Sequence, residues 1–131
     1  MKVLGVSAGF HDAGLAVIND DEILFAGHSE RYSKQKHDHH LCPDIIEQAL
    51  SYGPIDCIAF YEKPWLKKTR EIYAGQGLEG GDRSSTWTTK GALKREFKDK
   101  LPNVPIKTYM HHQTHAAAGF QTSPFEDATV V

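Results

Sequence analysis

The chain has 131 residues, 40% of them hydrophobic, and a net charge of −2 at pH 7. This length fits one domain that can bury a core. Neither charge sign forms a block, so we expect no nucleic-acid partner. No apolar run approaches the roughly 18 residues that cross a bilayer, and the first residues do not form a signal peptide, so we expect a cytoplasmic protein with no membrane partner. Two cysteines, Cys42 and Cys57, fit a reducing compartment.

The first thirty residues predict three consecutive strands. Short apolar and β-branched runs occupy residues 2–7, 15–19 and 22–28, and residues typical of turns separate them. Three strands joined by such tight turns favour an antiparallel meander over a βαβ unit.

Helical and strand patterns then alternate along the rest of the chain. Pro43 opens a predicted helix over 44–52, followed by a strand over 56–61 and helices over 64–73 and 88–100, the last lysine-rich and expected to be exposed. A strand over 106–110 leads into an alanine-rich helix that Ser123-Pro124 ends. Residues 127–131 predict the beginning of another strand. The loop over 75–85 is glycine-rich but lacks a phosphate-loop pattern, so we interpret it as a surface loop.

This order predicts an α/β fold built on a mixed five-stranded sheet. An antiparallel three-stranded start is followed by βαβ crossovers, with helices packed on the sheet. The arrangement resembles one lobe of the ribonuclease-H-like and actin-like ATPases. In such open sheets, ligands bind beyond the carboxyl ends of the strands, where the loops at residues 9–12 and at His111 would meet.

The histidines are the main compositional anomaly, because there are eight of them and six lie in two clusters. If the segment after residue 110 is helical, His111 and His115 are one turn apart on the same face. One helix can give two nitrogen ligands to a metal ion in this way. The alternative interpretation is a helix start that carries surface histidines.

Two further stretches carry candidate chemistry. Phe10-His11-Asp12 lies between the first two strands, where a histidine beside a carboxylate can act as a general base. The alternative there is a polar hairpin tip with Asp12 in an Asx turn. Residues 29–37 offer Arg31, Lys34 and Lys36 for an anionic ligand, or else form a solvated charged loop.

A second histidine-rich stretch follows at residues 37–42. It contains His37, His39, His40 and Cys42. Because adjacent histidines in a loop rarely meet tetrahedral geometry, we expect no metal site there.

Four stretches together resemble the N-terminal part of the nodulation-factor and antibiotic O-carbamoyltransferases. They are FHDA at residues 10–13, ERYSKQKH at 30–37, HHQTHAA at 111–117 and SPFEDA at 123–128. The corresponding family runs read like FHDA, ERFTRKKH, HHxxHAA and SPFEDA, in the same order. The resemblance covers nearly the whole chain and is weakest over residues 64–100.

The resemblance implies an enzyme that moves a carbamoyl group from carbamoyl phosphate, through carbamoyladenylate made with ATP, to a hydroxyl of a small-molecule acceptor. It also implies a divalent metal of the iron type (Fe²⁺) near the nucleotide phosphates. By motif match, His111 and His115 would be the metal ligands, and His112 would not. His11 would be the base on the acceptor hydroxyl, and Lys36 would contact the carbamoyl donor. Asp12 would orient His11 or the acceptor.

The family proteins are several times longer than this chain. We therefore expect an N-terminal fragment that is inactive alone, with residues 1–127 as a first lobe and 128–131 as the start of a second lobe. Two alternatives stay open: an ATPase lobe of the type that transfers threonylcarbamoyl groups to tRNA, and a non-catalytic module that binds nucleotide or metal. The sequence leaves the acceptor and any oligomeric assembly undetermined.

Overall fold

A computed structural model of the chain describes residues 1–9, 12–75 and 87–129. The strands in these ranges are β1 (Lys2–Ser7), β2 (Gly14–Asn19), β3 (Glu22–His28), β4 (Cys57–Phe60) and β5 (Ile106–Thr108). The helices are α1 (Glu30–Ser33), α2 (Pro43–Leu50), α3 (Pro64–Tyr73), α4 (Thr89–Phe97) and α5 (His111–Gln121), and a 3₁₀ turn at Lys98–Lys100 follows α4. No helix in the described ranges is long and apolar enough to span a bilayer.

The strands form one mixed sheet in the order β3-β2-β1-β4-β5. β2 pairs antiparallel with both β1 and β3, whereas β1 pairs parallel with β4, and β4 pairs parallel with β5. This confirms the predicted five-stranded α/β sheet with an antiparallel start and later crossovers. β1, β3, β4 and β5 therefore all point the same way, and their carboxyl ends lie along one edge of the sheet, which we call the carboxyl edge.

One face of the sheet carries the hydrophobic core, beneath α2 and α4. Alternate residues of the strands point into this core, as expected for a period of two. The core includes Leu4, Val6, Leu15, Val17, Ile58 and Phe60 from the strands, with Ile45, Ile46, Leu93 and Phe97 from the two helices. Fully burying each large aliphatic or aromatic side chain is worth about 1.5–3 kcal/mol, so this layer holds the carboxyl edge in place.

The structure corrects the prediction that the lysine-rich helix over 88–100 is exposed. Four residues of α4 are buried: Ala92, Leu93, Glu96 and Phe97. Their spacing places them on one stripe of the helix, while the lysines lie on the opposite side. Composition alone overlooked this stripe. The helix begins at the Thr88 N-cap, whose hydroxyl accepts a hydrogen bond from the Gly91 N–H at 3.1 Å.

The structure differs from the prediction in two segments, the one after β3 and the one at the end of the chain. The charged stretch after β3 contains the short helix α1, which the sequence pattern did not indicate. Asp127, Ala128 and Thr129 lie outside the strands of the sheet, and residues 130–131 lie outside the described residues. The predicted strand of a second lobe, and the domain division at residue 127, therefore stay predictions.

Candidate functional site at the carboxyl edge

The ends of the strands are level along the carboxyl edge. Ser7 pairs with Gly14, and Gly14 pairs with His28. On the other side, Val6 pairs with Phe60, and Phe60 pairs with Thr108. The connections that follow β1, β3, β4 and β5 therefore leave the sheet side by side. This is the convergence that the parallel topology predicts.

His111 and His115 face each other at the start of α5. Their Nε2 atoms are 3.1 Å apart, and their rings are nearly perpendicular at 86°. Two imidazole nitrogens that share one metal at about 2.1 Å, at angles of 90–110°, lie roughly 3.0–3.4 Å apart. The donor set and spacing therefore fit a shared metal ion. Among the described residues no group of three or more His, Cys, Asp or Glu could hold a metal ion, so a metal at this pair would have two ligands from these residues.

Tyr61 and Glu62 lie behind His111, directly after β4. The rings of Tyr61 and His111 meet edge-on, with centroids 5.4 Å apart. Oε2 of the buried Glu62 carboxylate is 3.7 Å from Nδ1 of His111. Burial raises the pKa of the Tyr61 phenol to about 12; a hydrogen bond with Ser7 opposes this shift and the Glu62 charge adds to it. The phenol is therefore uncharged at neutral pH.

A polar pocket of about 560 Å³ opens beside the β1–β2 turn and the segment after β3. Its lining residues are Asp12, His28, Glu30, Lys34, Lys36 and His37. Nδ1 of His37 lies 3.1 Å from Oδ1 of Asp12. Lys34 and His37 both have positive φ, at 60° and 56°, and Lys34 is the C-cap of α1, where a left-handed residue commonly ends a helix.

A second open cavity of about 630 Å³ lies between the other face of the sheet and α5. Small residues such as Gly5, Ala16, Ala59 and Ala117 line much of it, and none of its lining residues in the described part of the chain is Asp, Glu, Lys or Arg. His28 borders both cavities. The charged groups suited to an anionic ligand therefore lie in the smaller pocket.

The segment after α1 holds both ends of the β1–β2 turn. The Gly9 N–H donates to the His39 carbonyl, and the Ala13 N–H donates to the Asp38 carbonyl, each at 2.7 Å. Ser29, which is fully buried, donates its N–H to the Ala13 carbonyl and accepts the Cys42 N–H on its hydroxyl. These bonds hold Gly9 and Ala13 against the segment after α1.

Glu96 of α4 anchors this segment from below. Its buried carboxylate accepts the Leu41 N–H at 3.0 Å and lies 3.0 Å from Nδ1 of His40. The Arg95 guanidinium also donates to Glu96, at 3.2 Å. One helix of the core is thereby connected to the loop that holds the β1–β2 turn.

The five residues predicted as a site differ in what the structure shows of them. His111 and His115 are brought together, and Lys36 lines the polar pocket. His11 lies outside the described residues. Asp12, expected to orient His11 or the acceptor, contacts His37. The roles assigned to all five stay predictions.

The histidine-rich stretch at residues 37–42 does not gather into a metal site among the described residues. His37 contacts Asp12, whereas His40 contacts Glu96. The sequence interpretation overlooked Glu62 and Glu96. One sequence signal could have identified Glu62, because its carboxylate directly follows an apolar strand. Another could have identified Glu96, because it lies on the apolar stripe of a helix.

The comparisons with known proteins identify the family of the chain. A family model described as the carbamoyltransferase N-terminus matches residues 2–131. An uncharacterized protein, sll1178, of Synechocystis sp. (strain PCC 6803) is 33% identical over 98% of this chain and 24% of its own length. The nodulation protein NolNO of Sinorhizobium fredii is 26% identical over 92% of this chain and 19% of its own length. The chain thus spans about a quarter or less of these relatives. It belongs to the carbamoyltransferase N-terminal family.

Proposed function

We propose that this chain forms the first lobe of an ATP-dependent O-carbamoyltransferase. In this reaction a carbamoyl group passes from carbamoyl phosphate, through carbamoyladenylate, to the hydroxyl of a small-molecule acceptor. The observation that supports the proposal is the pairing of His111 with His115 at the same sheet edge as the Lys36 pocket, in a chain of this family.

The two histidines would hold a divalent cation, with iron as the proposed metal. When bound, such a cation neutralises phosphate charge and polarises the leaving group. The first N–H groups of α5 lie at the same place, and helix N-termini favour anions. A nucleotide phosphate is therefore the ligand that best suits this end of the edge.

Lys36 would hold the anionic carbamoyl donor in the polar pocket. Lys34 lines the same pocket, although its ammonium donates to the Arg31 carbonyl at 2.8 Å. A lysine ammonium supplies a compact positive charge for phosphate oxygens. Because Lys34 is held by the Arg31 carbonyl, removal of Lys36 should weaken binding of the carbamoyl donor more than removal of Lys34.

The transfer step needs a base, and we assign this role to His11. The acceptor oxygen attacks the carbamoyl carbon, its proton passes to the neutral imidazole, and AMP leaves with the electrons of the broken bond. His37 is a second candidate for this role, because Asp12 lies at its Nδ1 and can fix the tautomer that presents Nε2 as an acceptor.

Mass spectrometry of the full-length protein with ATP and carbamoyl phosphate tests the proposal. We expect carbamoyladenylate to form, and Lys36→Ala to raise the KM for carbamoyl phosphate about tenfold, the loss of one charge-assisted contact. Lys94→Ala is the matched control, because Lys94 lies on the exposed side of α4 and is not among the described residues that line the pocket. Absence of carbamoyladenylate would contradict the reaction, and wild-type kinetics of Lys36→Ala would contradict the assignment of the lysine.

Variants of the two histidines separate the candidate bases. His11→Ala should stop carbamoyl transfer to an acceptor and leave carbamoyladenylate formation intact, whereas His37→Ala should retain transfer. Loss of transfer in His37→Ala alone would move the role of the base to the Asp12–His37 pair. Loss of both steps in His11→Ala would instead give that residue a part in nucleotide binding or folding.

A further inference from the structure

We propose that Glu62 is a positioning residue for the metal ligand His111. This inference rests on the proposed function, because it presupposes that the His111–His115 pair binds a metal. The carboxylate would take the Nδ1–H of His111 and so fix the tautomer in which Nε2 presents its lone pair toward His115.

The geometry places the two nitrogens of His111 between different partners. Nε2 lies 3.1 Å from Nε2 of His115, and Nδ1 lies 3.7 Å from Oε2 of Glu62. The two nitrogens are on different sides of the ring, and among the described residues Glu62 does not form a three-ligand group with the two histidines. It occupies the place that a carboxylate takes behind a metal-bound histidine.

The Glu62 carboxylate is itself held in position. Its Oε1 atom accepts the Lys63 N–H at 2.8 Å and lies 4.0 Å from the Arg70 guanidinium, while Oε2 faces His111. The side chain is buried, only 7% exposed, and a buried carboxylate is costly unless charged or hydrogen-bonding partners compensate it. The two oxygens therefore have separate partners on separate sides.

A separation of 3.7 Å is longer than a hydrogen bond, so the contact in this structure is electrostatic. A movement of about 1 Å would bring it to hydrogen-bond length. The edge of Tyr61 against the ring of His111 restricts how that ring can turn. Metal binding at Nε2 would favour closing the gap, because coordination makes the Nδ1–H a stronger donor, and the carboxylate in turn raises the basicity of the ligand.

Titration of the metal-depleted full-length protein with Co²⁺ tests this role. Glu62→Ala should weaken Co²⁺ binding about 10- to 100-fold, the usual effect of removing such a partner. The Co²⁺ affinity of Glu62→Gln should lie between those of Glu62→Ala and wild type, because the amide oxygen can still accept a hydrogen bond from the Nδ1–H but carries no charge. Glu71→Gln is the matched control, since Glu71 lies on α3 and pairs with Lys68 at 3.2 Å.

A spectroscopic readout distinguishes positioning from a general effect on folding. In the Co²⁺ protein, the paramagnetically shifted N–H signal of His111 should exchange faster with solvent in both Glu62 variants than in Glu71→Gln. If circular dichroism shows that Glu62→Ala does not fold, the affinity and N–H exchange of the isosteric Glu62→Gln variant test the positioning role.

The outcomes separate this inference from the proposed function. Unchanged Co²⁺ affinity in the His111→Ala/His115→Ala double variant would overturn the metal site, and the role of Glu62 with it. Loss of binding in the double variant, with wild-type affinity and N–H exchange in Glu62→Gln, would overturn only the role of Glu62.

Discussion

Two buried carboxylates, Glu62 and Glu96, organise the polar side chains at the carboxyl edge. The exposed fraction is 5% for Glu62 and 7% for Glu96, so each ionised carboxylate needs partners inside the protein. Glu62 faces His111, and Glu96 binds the loop around His40. The sequence carried a signal for each position, but the partners of the two carboxylates could not be predicted, because they lie in segments that are distant in sequence. The pairing of His111 with His115 could be predicted, since it depends only on one helical turn.

Removing Glu96 should cost substantial stability. Glu96→Ala leaves the buried Leu41 N–H without its acceptor and removes the contact with His40, so we expect a loss of about 3 kcal/mol in the free energy of unfolding. Urea denaturation measures this change. The control is Glu47→Ala on α2, whose exposed carboxylate pairs with Lys100, and it should cost less than about 1 kcal/mol. Equal costs for the two variants would contradict the anchoring role of Glu96.

Asp38 should make stability depend on pH in acid. Burial alone would raise the pKa of this carboxyl group, but hydrogen bonds from Ser33 and the His40 N–H, with the charges of His40 and His39, lower it below 3.8. The unfolded chain therefore binds the proton more readily, so this contribution is present at neutral pH and disappears as pH falls below about 4.

Asp38→Asn should lower stability at neutral pH and reduce the decline between about pH 5 and pH 3. Urea denaturation over this range, with wild type alongside, measures both effects. An unchanged pH slope would show that Asp38 does not contribute in this way.

At the scale of elements, hydrophobic periodicity predicted most of the structure. The first three strands and α3 lie where the patterns indicate, because each has a clear apolar run or a proline at its start. α4 was assigned the wrong exposure, since its lysines dominate the composition while Leu93 and Phe97 decide which face is buried. α1 is only four residues long, too short to produce a periodic signal.

Leu93 tests whether α4 belongs to the core. The side chain is fully buried, so Leu93→Ala should lower the free energy of unfolding by about 2–5 kcal/mol through lost burial and a cavity. Lys94→Ala, at the exposed neighbouring position, should change stability by less than about 0.5 kcal/mol. Similar values for the two variants in urea denaturation would mean that α4 does not pack against the sheet.

At the scale of the whole molecule, the shared direction of four strands brings the residues of the candidate site together. It brings the β1–β2 turn, the segment after β3, Glu62 and α5 to one edge, although they are distributed along the whole chain. Alternating strand and helix patterns were sufficient to predict this convergence. They could not predict how residues 38–41 bridge the turn to α4, because hydrogen bonds of irregular segments leave no periodic signal.

The metal content of the full-length protein tests the central claim most directly. The claim is that His111 and His115 hold a divalent metal at the carboxyl edge, with His112 not involved. Elemental analysis of the purified protein should find metal bound to wild type and to His112→Ala, and none bound to the His111→Ala/His115→Ala double variant. Metal retained by the double variant at the wild-type level would contradict the claim.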